Sequence, residues 1–159
     1  MENNKASFYL KVAIQLSEAA ADQHQGGPFG CVIVKDGKIV GTGSNQVLAS
    51  GDPTAHAEVV AIRNACQQLG TPHLNDCVLY TSCEPCPMCL AAIYWAHIDR
   101  VYYCNTRQDA ASIGFDDARI YKEIALDPED RAIPMEHVPS AHALNVFTRW
   151  QQRDDKNLY

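Results

Sequence analysis

The chain has 159 residues, of which 47% are hydrophobic, and this length and composition suit one globular domain with a buried core. Its formal net charge of −6 argues against an enzyme that holds long nucleic acids by their phosphates, because such a protein needs a basic groove. The N-terminal segment lacks the features of a secretory signal, and no stretch approaches the roughly 18 apolar residues of a membrane span. We therefore expect a single-domain protein, residues 1–159, in the cytoplasm.

The first half of the chain predicts a helix, a hairpin and a second helix. Apolar residues at helical spacing between Lys5 and His24 predict an amphipathic helix that ends at a Gly-Gly-Pro sequence. Alternating, β-branched segments flank Asp36-Gly37, the dipeptide favoured in two-residue hairpin turns, so two antiparallel strands are expected to join there. The segment AHAEVVAIRNACQQLG then predicts a helix that stops at Gly70.

The second half of the chain predicts strands that alternate with helices. CVLYTS indicates a short buried strand, CPMCLAAIYWAH a helix, and RVYYCN another strand. This alternation is typical of an α/β sheet covered by helices on both faces, so we predict a three-layer α/β/α architecture. Beyond Gly114, DDARIYKEIAL is predicted to be helical, a proline-containing segment irregular, and Ser140 to Lys156 a last amphipathic helix.

The seven cysteines form an odd set in which Cys83, Cys86 and Cys89 are crowded together. Such crowding favours a reducing compartment, with metal binding or catalysis, over a disulfide framework. An iron–sulfur cluster fits poorly, because the bacterial cluster motif continues with a cysteine and a proline where this chain has Ile93 and Tyr94.

A zinc-binding pattern emerges when the cysteines are combined with an upstream histidine. His56-Ala57-Glu58 followed by Pro85-Cys86-Pro87-Met88-Cys89 has the H-x-E…P-C-x-x-C form of the zinc nucleobase and nucleoside deaminases. Two cysteines three residues apart at the start of a helix share a face and lie in its positive field, which lowers their pKa. Three protein ligands leave the fourth tetrahedral position for water, as in catalytic zinc sites.

We therefore predict one Zn²⁺ per chain, bound by His56, Cys86 and Cys89. Cys83 lies on the strand side of Pro85 and would have to double back to reach the same metal, so it is predicted to be a thiol near the site and not a ligand.

Glu58 is the predicted catalytic acid–base. Hydrolytic removal of an amino group from a ring carbon requires proton loss from the attacking water and protonation of both a ring nitrogen and the departing amine. One mobile carboxylate beside the zinc that activates the water can perform all of these transfers. The alternative role is a surface charge that complements the helix dipole.

Five segments that span nearly the whole chain carry a family resemblance. They are GGPFG at 26–30, DPTAHAEVVAIR at 52–63, YTSCEPCPMCLAAIYWA at 80–96, IGFDD at 113–117 and the terminal Tyr159. In these segments the chain resembles the guanine deaminases of the cytidine-deaminase-like superfamily. The resemblance implies a central mixed sheet of about five strands, one zinc per chain, and hydrolysis of guanine to xanthine and ammonia. It also implies a homodimer in which residues from about 140 to 159 are exchanged between subunits.

A second acid is expected within the GFDD sequence. Guanine presents two adjacent donors, N1–H and the 2-amino group, and one carboxylate can accept from both, whereas adenine and cytosine offer no such pair. The resemblance assigns this role, together with protonation of the leaving amine, to Asp117. Asp116 is the alternative, with the other acid facing solvent or capping a helix.

Four further residues are implied to contact the base. The resemblance suggests that the Asn45 amide reaches a purine acceptor, that Phe29 stacks on the ring, that Trp95 lines the pocket and that Tyr159 closes over it. Ordinary structural roles fit the same residues: a turn for the asparagine, core packing for the phenylalanine and the tryptophan, and a frayed end for the tyrosine.

Three other functions compete with guanine deamination. A guanosine deaminase shares much of this pattern and differs in having room for ribose. A tRNA adenosine deaminase shares the zinc motif but would need a basic surface around its pocket, which this acidic chain does not suggest. A non-catalytic zinc module would use the ligands for folding and have no role for Glu58.

Overall fold

The structure, a computed structural model, describes residues 2–159, with side chains described from Lys5 onward. It divides into two compact units that meet in the sequence at Asp117 and Ala118. Within residues 2–159, none of the helices combines the length and apolar character of a membrane span.

The first unit contains the whole sheet. Its elements are α1 (Glu2–Asp22), β1 (Gly30–Lys35), β2 (Lys38–Ser44), α2 (Val47–Ser50), α3 (Ala57–Leu69), β3 (Cys77–Cys83), α4 (Pro87–Trp95), β4 (Arg100–Asn105) and α5 (Arg107–Ser112). Each predicted strand and helix of this part of the chain is confirmed, and the short helices α2 and α5 are additions to the prediction. The hairpin turns at Asp36-Gly37, where both residues have positive φ as a tight two-residue turn requires.

The four strands form a mixed sheet in the order β2-β1-β3-β4. Strand β1 is antiparallel to both β2 and β3, whereas β3 and β4 are parallel. The mixed sheet is confirmed, but the expected count of about five strands is wrong for residues 2–159. Directly after β4, Thr106 and Asp109 form a capping box that starts α5, and the described residues beyond α5 form helices and a 3₁₀ turn.

Helices cover the two faces of the sheet, which confirms the three-layer architecture. On one face, α1 packs against Val32, Val34 and Tyr80. On the other face, α3 and α4 contribute to a core that includes Ile33 and Leu79. The alternation of side chains along each strand thus separates two apolar layers, and both layers are filled from neighbouring helices.

A glycine on β2 lets α3 approach the sheet closely. A Cβ atom on Gly43 would collide with the carbonyl oxygen of Ala57, the first residue of α3. Because the φ of Gly43 is not in the left-handed region, the requirement is for space and not for an unusual backbone conformation. This contact brings the N-terminus of α3, with His56 and Glu58, directly against the sheet.

The second unit contains α6 (Ala118–Ile124), a 3₁₀ turn (Pro128–Asp130) and α7 (Ala141–Gln151). Both predicted helices and the irregular segment between them are confirmed. Within this unit the Arg131 guanidinium donates to the carbonyl oxygens of Glu123 and Leu126, and Ser140 caps α7 by accepting from the backbone N–H of Ala143.

Candidate active site

The three predicted zinc ligands lie at the N-termini of two helices. His56 is the N-cap of α3 and Cys86 is the N-cap of α4. Pro87 occupies the first position of α4, where its fixed φ suits a helix start. Cys89 lies three residues after Cys86 and therefore on the same face of the helix. The helix starts therefore fix the backbone of all three residues.

The donor atoms of this group converge on one point. The Nδ1 atom of His56 lies 3.5 Å from the Sγ of Cys86 and 3.4 Å from the Sγ of Cys89. All three ligand atoms lie within 4.8 Å of one another. Tetrahedral zinc with ordinary Zn–S and Zn–N bonds would separate a sulfur from a nitrogen by about 3.6 Å, so the residues fit a zinc ion. Three ligands also leave one coordination position for water.

The two thiols of the group are strongly coupled. A hydrogen bond from Cys89 is the largest cause that lowers the pKa of Cys86, to about 4. The same hydrogen bond, with burial, raises the pKa of Cys89. The lowering of the pKa that the helix start predicts for both thiols is thus found for Cys86 and not for Cys89. Both would bind zinc as thiolates.

Cys83 lies apart from this group, as predicted. Its Sγ atom is 3.6 Å from the carbonyl oxygen of Thr106, to which the thiol donates. Burial, with the nearby charge of Glu58, raises the pKa of the Cys83 thiol to about 11. This cysteine is therefore a buried neutral thiol, and the metal-ligating group is formed by His56 and the other two cysteines.

Glu58 is buried beside the ligands, with 6% of its surface exposed. Burial raises the pKa of its carboxyl group, while hydrogen bonds from its surroundings oppose that change. One of those bonds comes from the hydroxyl of Thr81, whose Oγ1 lies 3.1 Å from the Glu58 Oε1. A buried carboxyl with a raised pKa is better suited to both accepting and returning a proton than a solvated carboxylate is. The alternative role of a solvated surface charge does not apply to it.

Two of the predicted base contacts lie on the loops that flank β1 and β2. Asn45 is buried, and its Oδ1 accepts from the backbone N–H of Val47 at 3.2 Å. Phe29 is half-buried against the core of the α3 face, and its ring meets that of Phe115 edge-to-face at 5.0 Å. Both residues therefore have the structural partners that the alternative roles required, and a role in base binding stays a prediction.

The acids of GFDD differ in their surroundings. Asp117 is half-buried, and desolvation followed by the negative charge of Cys86 raises the pKa of its carboxyl. Asp116 is exposed. The carboxyl of Asp117 is therefore within electrostatic reach of Cys86, and its choice over Asp116 as the second acid stays a prediction.

The remaining two predicted base contacts, Trp95 and Tyr159, are exposed. Trp95 is the last residue of α4, and 66% of its surface is exposed. The alternative role of Trp95, packing in the core, is therefore wrong. Tyr159 belongs to the second unit and is exposed there.

Sequence reasoning missed two side chains that the structure brings to this region, Thr81 and Phe115. The alternation along β3 could have indicated Thr81. Every second residue of the strand, Cys77, Leu79, Thr81 and Cys83, is buried on the same face, and a hydroxyl at such a position needs a polar partner. Phe115 lies between Gly114 and Asp116, outside any helix or strand pattern. The sequence there does not indicate whether its ring packs on another aromatic ring or faces solvent.

An imidazole, two thiols and a buried glutamate at one point, with a coordination position left for water, define a zinc-dependent hydrolase. A sequence model of the family described as the cytidine and deoxycytidylate deaminase zinc-binding region matches residues 3–105. The chain belongs to this deaminase family.

Several relatives of known name resemble the chain. A guanine deaminase of Bacillus subtilis is 52% identical over 151 residues, which cover 95% of this chain and 97% of the relative. The X-ray structure of that enzyme matches this fold with a TM-score of 0.93 over 96% of this chain and 98% of that chain. A guanine deaminase from Nitrosomonas europaea has 29% identity and a TM-score of 0.66, over 69% of this chain and 64% of the other. A tRNA-specific adenosine deaminase of Aquifex aeolicus is 41% identical over 96 residues, 60% of this chain and 63% of the relative.

Proposed function

We propose that the protein hydrolyses guanine to xanthine and ammonia. The observation that carries the proposal is the likeness to the Bacillus subtilis guanine deaminase, which extends over both units of the chain at 52% identity. The likeness to the tRNA-specific adenosine deaminase is weaker and covers 60% of the chain. The net charge of −6 also gives a polynucleotide little to bind.

Glu58 carries the first proton of the proposed reaction, from the attacking water to the base. A zinc ion held by His56, Cys86 and Cys89 would supply a water of lowered pKa as the nucleophile. The Glu58 carboxylate takes a proton from the water as the C–O bond forms at C2 of the base, and delivers a proton to the adjacent ring nitrogen. The hydroxyl now on C2 then loses the second proton of the water, which is passed to the amine as the C2–N bond breaks, so that ammonia leaves and the C2 carbonyl of xanthine forms.

Asp117 is the proposed determinant of substrate choice. Its carboxylate accepts from N1–H and from the 2-amino group of guanine, and it relays the second proton of the attacking water to the departing amine. The influence of the Cys86 charge on its pKa supports this role, because it indicates a carboxyl near the metal-ligating group. Asp116, which is more exposed, is the alternative second acid.

The other proposed base contacts restrict the position of the ring. The Asn45 amide would bond a purine acceptor, Phe29 would stack on the base, Trp95 would line the pocket, and Tyr159 would cover the bound base and exclude water. Deletion of Tyr159 tests the covering role, because turnover of guanine should fall while the zinc content stays at one per chain. Unchanged turnover would contradict that role alone.

We further propose that the enzyme is a cytoplasmic homodimer whose subunits exchange residues from about 140 to 159. Large apolar side chains on α7 support an exchange, because Leu144, Phe147 and Trp150 are 66%, 75% and 43% exposed in the single chain. Seven free cysteines support a reducing compartment. Light scattering of the full chain should give twice the monomer mass, and a chain cut after residue 139 should lose that mass. A monomeric full chain would contradict the homodimer.

The experiment that tests the proposed function measures ammonia release by zinc-replete protein from guanine, guanosine, adenine, cytosine and cytidine. We expect guanine to be preferred, with one xanthine formed for each ammonia. Preference for guanosine would replace the proposal with a nucleoside deaminase, and preference for adenine would overturn the role of the second acid. No zinc-dependent ammonia from any of the five would favour a non-catalytic zinc module.

A further inference from the structure

The Thr81 hydroxyl donates a hydrogen bond to the carboxylate of Glu58, the proposed proton carrier. Its side chain is completely buried and faces α3 from the end of β3. The Thr81 Oγ1 has one hydrogen and two acceptors within reach: the Glu58 Oε1 at 3.1 Å and, farther away, the carbonyl oxygen of Gly30 at 3.4 Å. The shorter distance favours donation to Glu58. The hydroxyl is thus a buried polar group with its hydrogen-bond partners present, one of them the predicted proton carrier.

The threonine is held far more rigidly than the glutamate. Strand β3 is interior to the sheet, and Thr81 pairs with Cys31 on β1 and with Tyr103 on β4. A β-branched side chain on such a strand has few accessible rotamers. Glu58, by contrast, has three side-chain torsions between its carboxylate and the first turn of α3. The hydrogen bond therefore links the longer, more flexible side chain to an interior strand of the sheet.

The Thr81 hydroxyl is a donor that the metal-ligating chemistry leaves available to Glu58. The neighbouring thiol of Cys89, whose Sγ lies 3.4 Å from the His56 Nδ1, belongs to the metal-ligating group. A cysteine that binds zinc does so as the thiolate, and a thiolate has no hydrogen to donate. The hydroxyl of Thr81 has no such competing role and can hold the carboxylate.

We propose that Thr81 is a positioning residue, which orients the Glu58 carboxylate toward the metal-ligating group through the Oγ1–Oε1 hydrogen bond. This inference rests on the proposed hydrolytic function and adds a residue that acts on the reaction through Glu58. A misplacement of the proton carrier slows the chemical step, whereas the base still binds to groups that the threonine does not touch. The expected signature is a loss in kcat without a matching change in KM.

The test compares Thr81→Val with Thr81→Ser in the full-length, zinc-replete protein. Valine keeps the shape and burial of threonine but removes the hydroxyl, so kcat on guanine should fall about tenfold to a hundredfold, as expected for loss of a hydrogen bond to a charged group. KM and the zinc content should stay within about twofold. Serine restores the hydroxyl and should recover most of the lost kcat.

The neighbouring Ser82 provides a matched control. Its side chain is also buried, and its Oγ accepts from the backbone N–H of Gly30 at 3.0 Å. Ser82 points to the opposite face of β3, so Ser82→Ala removes a buried hydrogen bond of the same strand without touching Glu58. It should lower the melting temperature and leave kcat within about threefold.

Two results would overturn the inference. The first is wild-type kcat in Thr81→Val, and the second is a similar fall of kcat in the valine and serine variants or in the Ser82 control, which would indicate a general packing effect. Failure of the proposed function is distinguishable, because the wild-type protein itself would then release no ammonia from guanine.

Discussion

The candidate site has an inner part, formed by the three metal ligands with Glu58 and Thr81, and an outer part, formed by the aromatic residues Phe29, Phe115 and Trp95. The two parts differ in burial and in hydrogen bonding. The inner residues sit at helix starts or on an interior strand and bond one another, and Cys89, Glu58 and Thr81 are at most 6% exposed. The outer aromatic residues are on loops or a helix end, and Phe115 and Trp95 are 47% and 66% exposed. A buried, bonded group suits the chemical step, whereas an accessible one suits selection of the base. Changes in the two parts should therefore affect kcat and KM differently.

The largest effect is expected from the metal ligands. Cys86→Ser removes a thiolate of the zinc site, so the protein should lose both its zinc and all detectable ammonia release. Cys83→Ser is the matched control from the same segment and should retain one zinc per chain and near wild-type activity. Metal analysis and activity assays on the same samples check both outcomes. Loss of zinc from the Cys83 variant would show that the ligand set has been assigned wrongly.

Replacement of the proton carrier should be the next largest effect. Glu58→Gln keeps the size of the side chain and removes its ability to accept a proton. We expect zinc to remain and kcat on guanine to fall about 10²- to 10⁴-fold, the range of general acid–base catalysis. Steady-state kinetics with metal analysis measure both quantities, and substantial retained turnover would place the proton carrier elsewhere.

The two neighbouring acids of GFDD, Asp116 and Asp117, are expected to differ in their effect on the turnover of guanine. Asp117→Asn should lower kcat/KM on guanine about a hundredfold, because an amide cannot accept from two adjacent donors as a carboxylate does. Asp116→Asn serves as the control and should stay within about threefold of wild type. The reverse order in a kinetic comparison would assign the second acid to Asp116.

The smallest effect is expected from the loop that holds Phe29. A Cβ atom on Gly27 would lie 2.8 Å from both the Phe29 and the Phe115 rings, so Gly27→Ala must displace an aromatic ring. We expect KM for guanine to rise about tenfold with little change in kcat. Gly37→Ala, at the remote hairpin turn where nothing lies within 4 Å, should lower the melting temperature and leave KM unchanged. Equal KM values in the two variants would show that Phe29 does not contact the bound base.

The sequence predicted most of the fold because local signals and tertiary packing agree in this chain. The Asp36-Gly37 hairpin, the apolar strand from Cys77 and the proline-initiated cysteine helix each have strong local signatures, and each formed as expected. The strand count was overestimated because it came from the family resemblance, whereas the described residues after α5 form two helices and a 3₁₀ turn and add no strand.

The site was predictable to the extent that its residues carry fixed spacing. The zinc ligands and Glu58 have a defined H-x-E and C-x-x-C pattern, and the structure brings their side chains together. Thr81 and Phe115 have no such pattern, because each meets its partner across a distance in sequence: Thr81 bonds a residue 23 positions away, and Phe115 packs on the loop before β1. Such contacts depend on strand register and loop geometry, which spacing alone does not determine.

The central claim, that one zinc ion and Glu58 together deaminate guanine, is tested most directly by metal reconstitution. Protein stripped by a chelator is titrated with Zn²⁺ while ammonia release from guanine is followed. Activity is predicted to rise linearly and to level off at one zinc per chain, and Glu58→Gln should bind the same amount of zinc without releasing ammonia at a comparable rate. Activity that does not depend on added zinc, or a Glu58→Gln protein that works as well as wild type at full metal loading, would contradict the account.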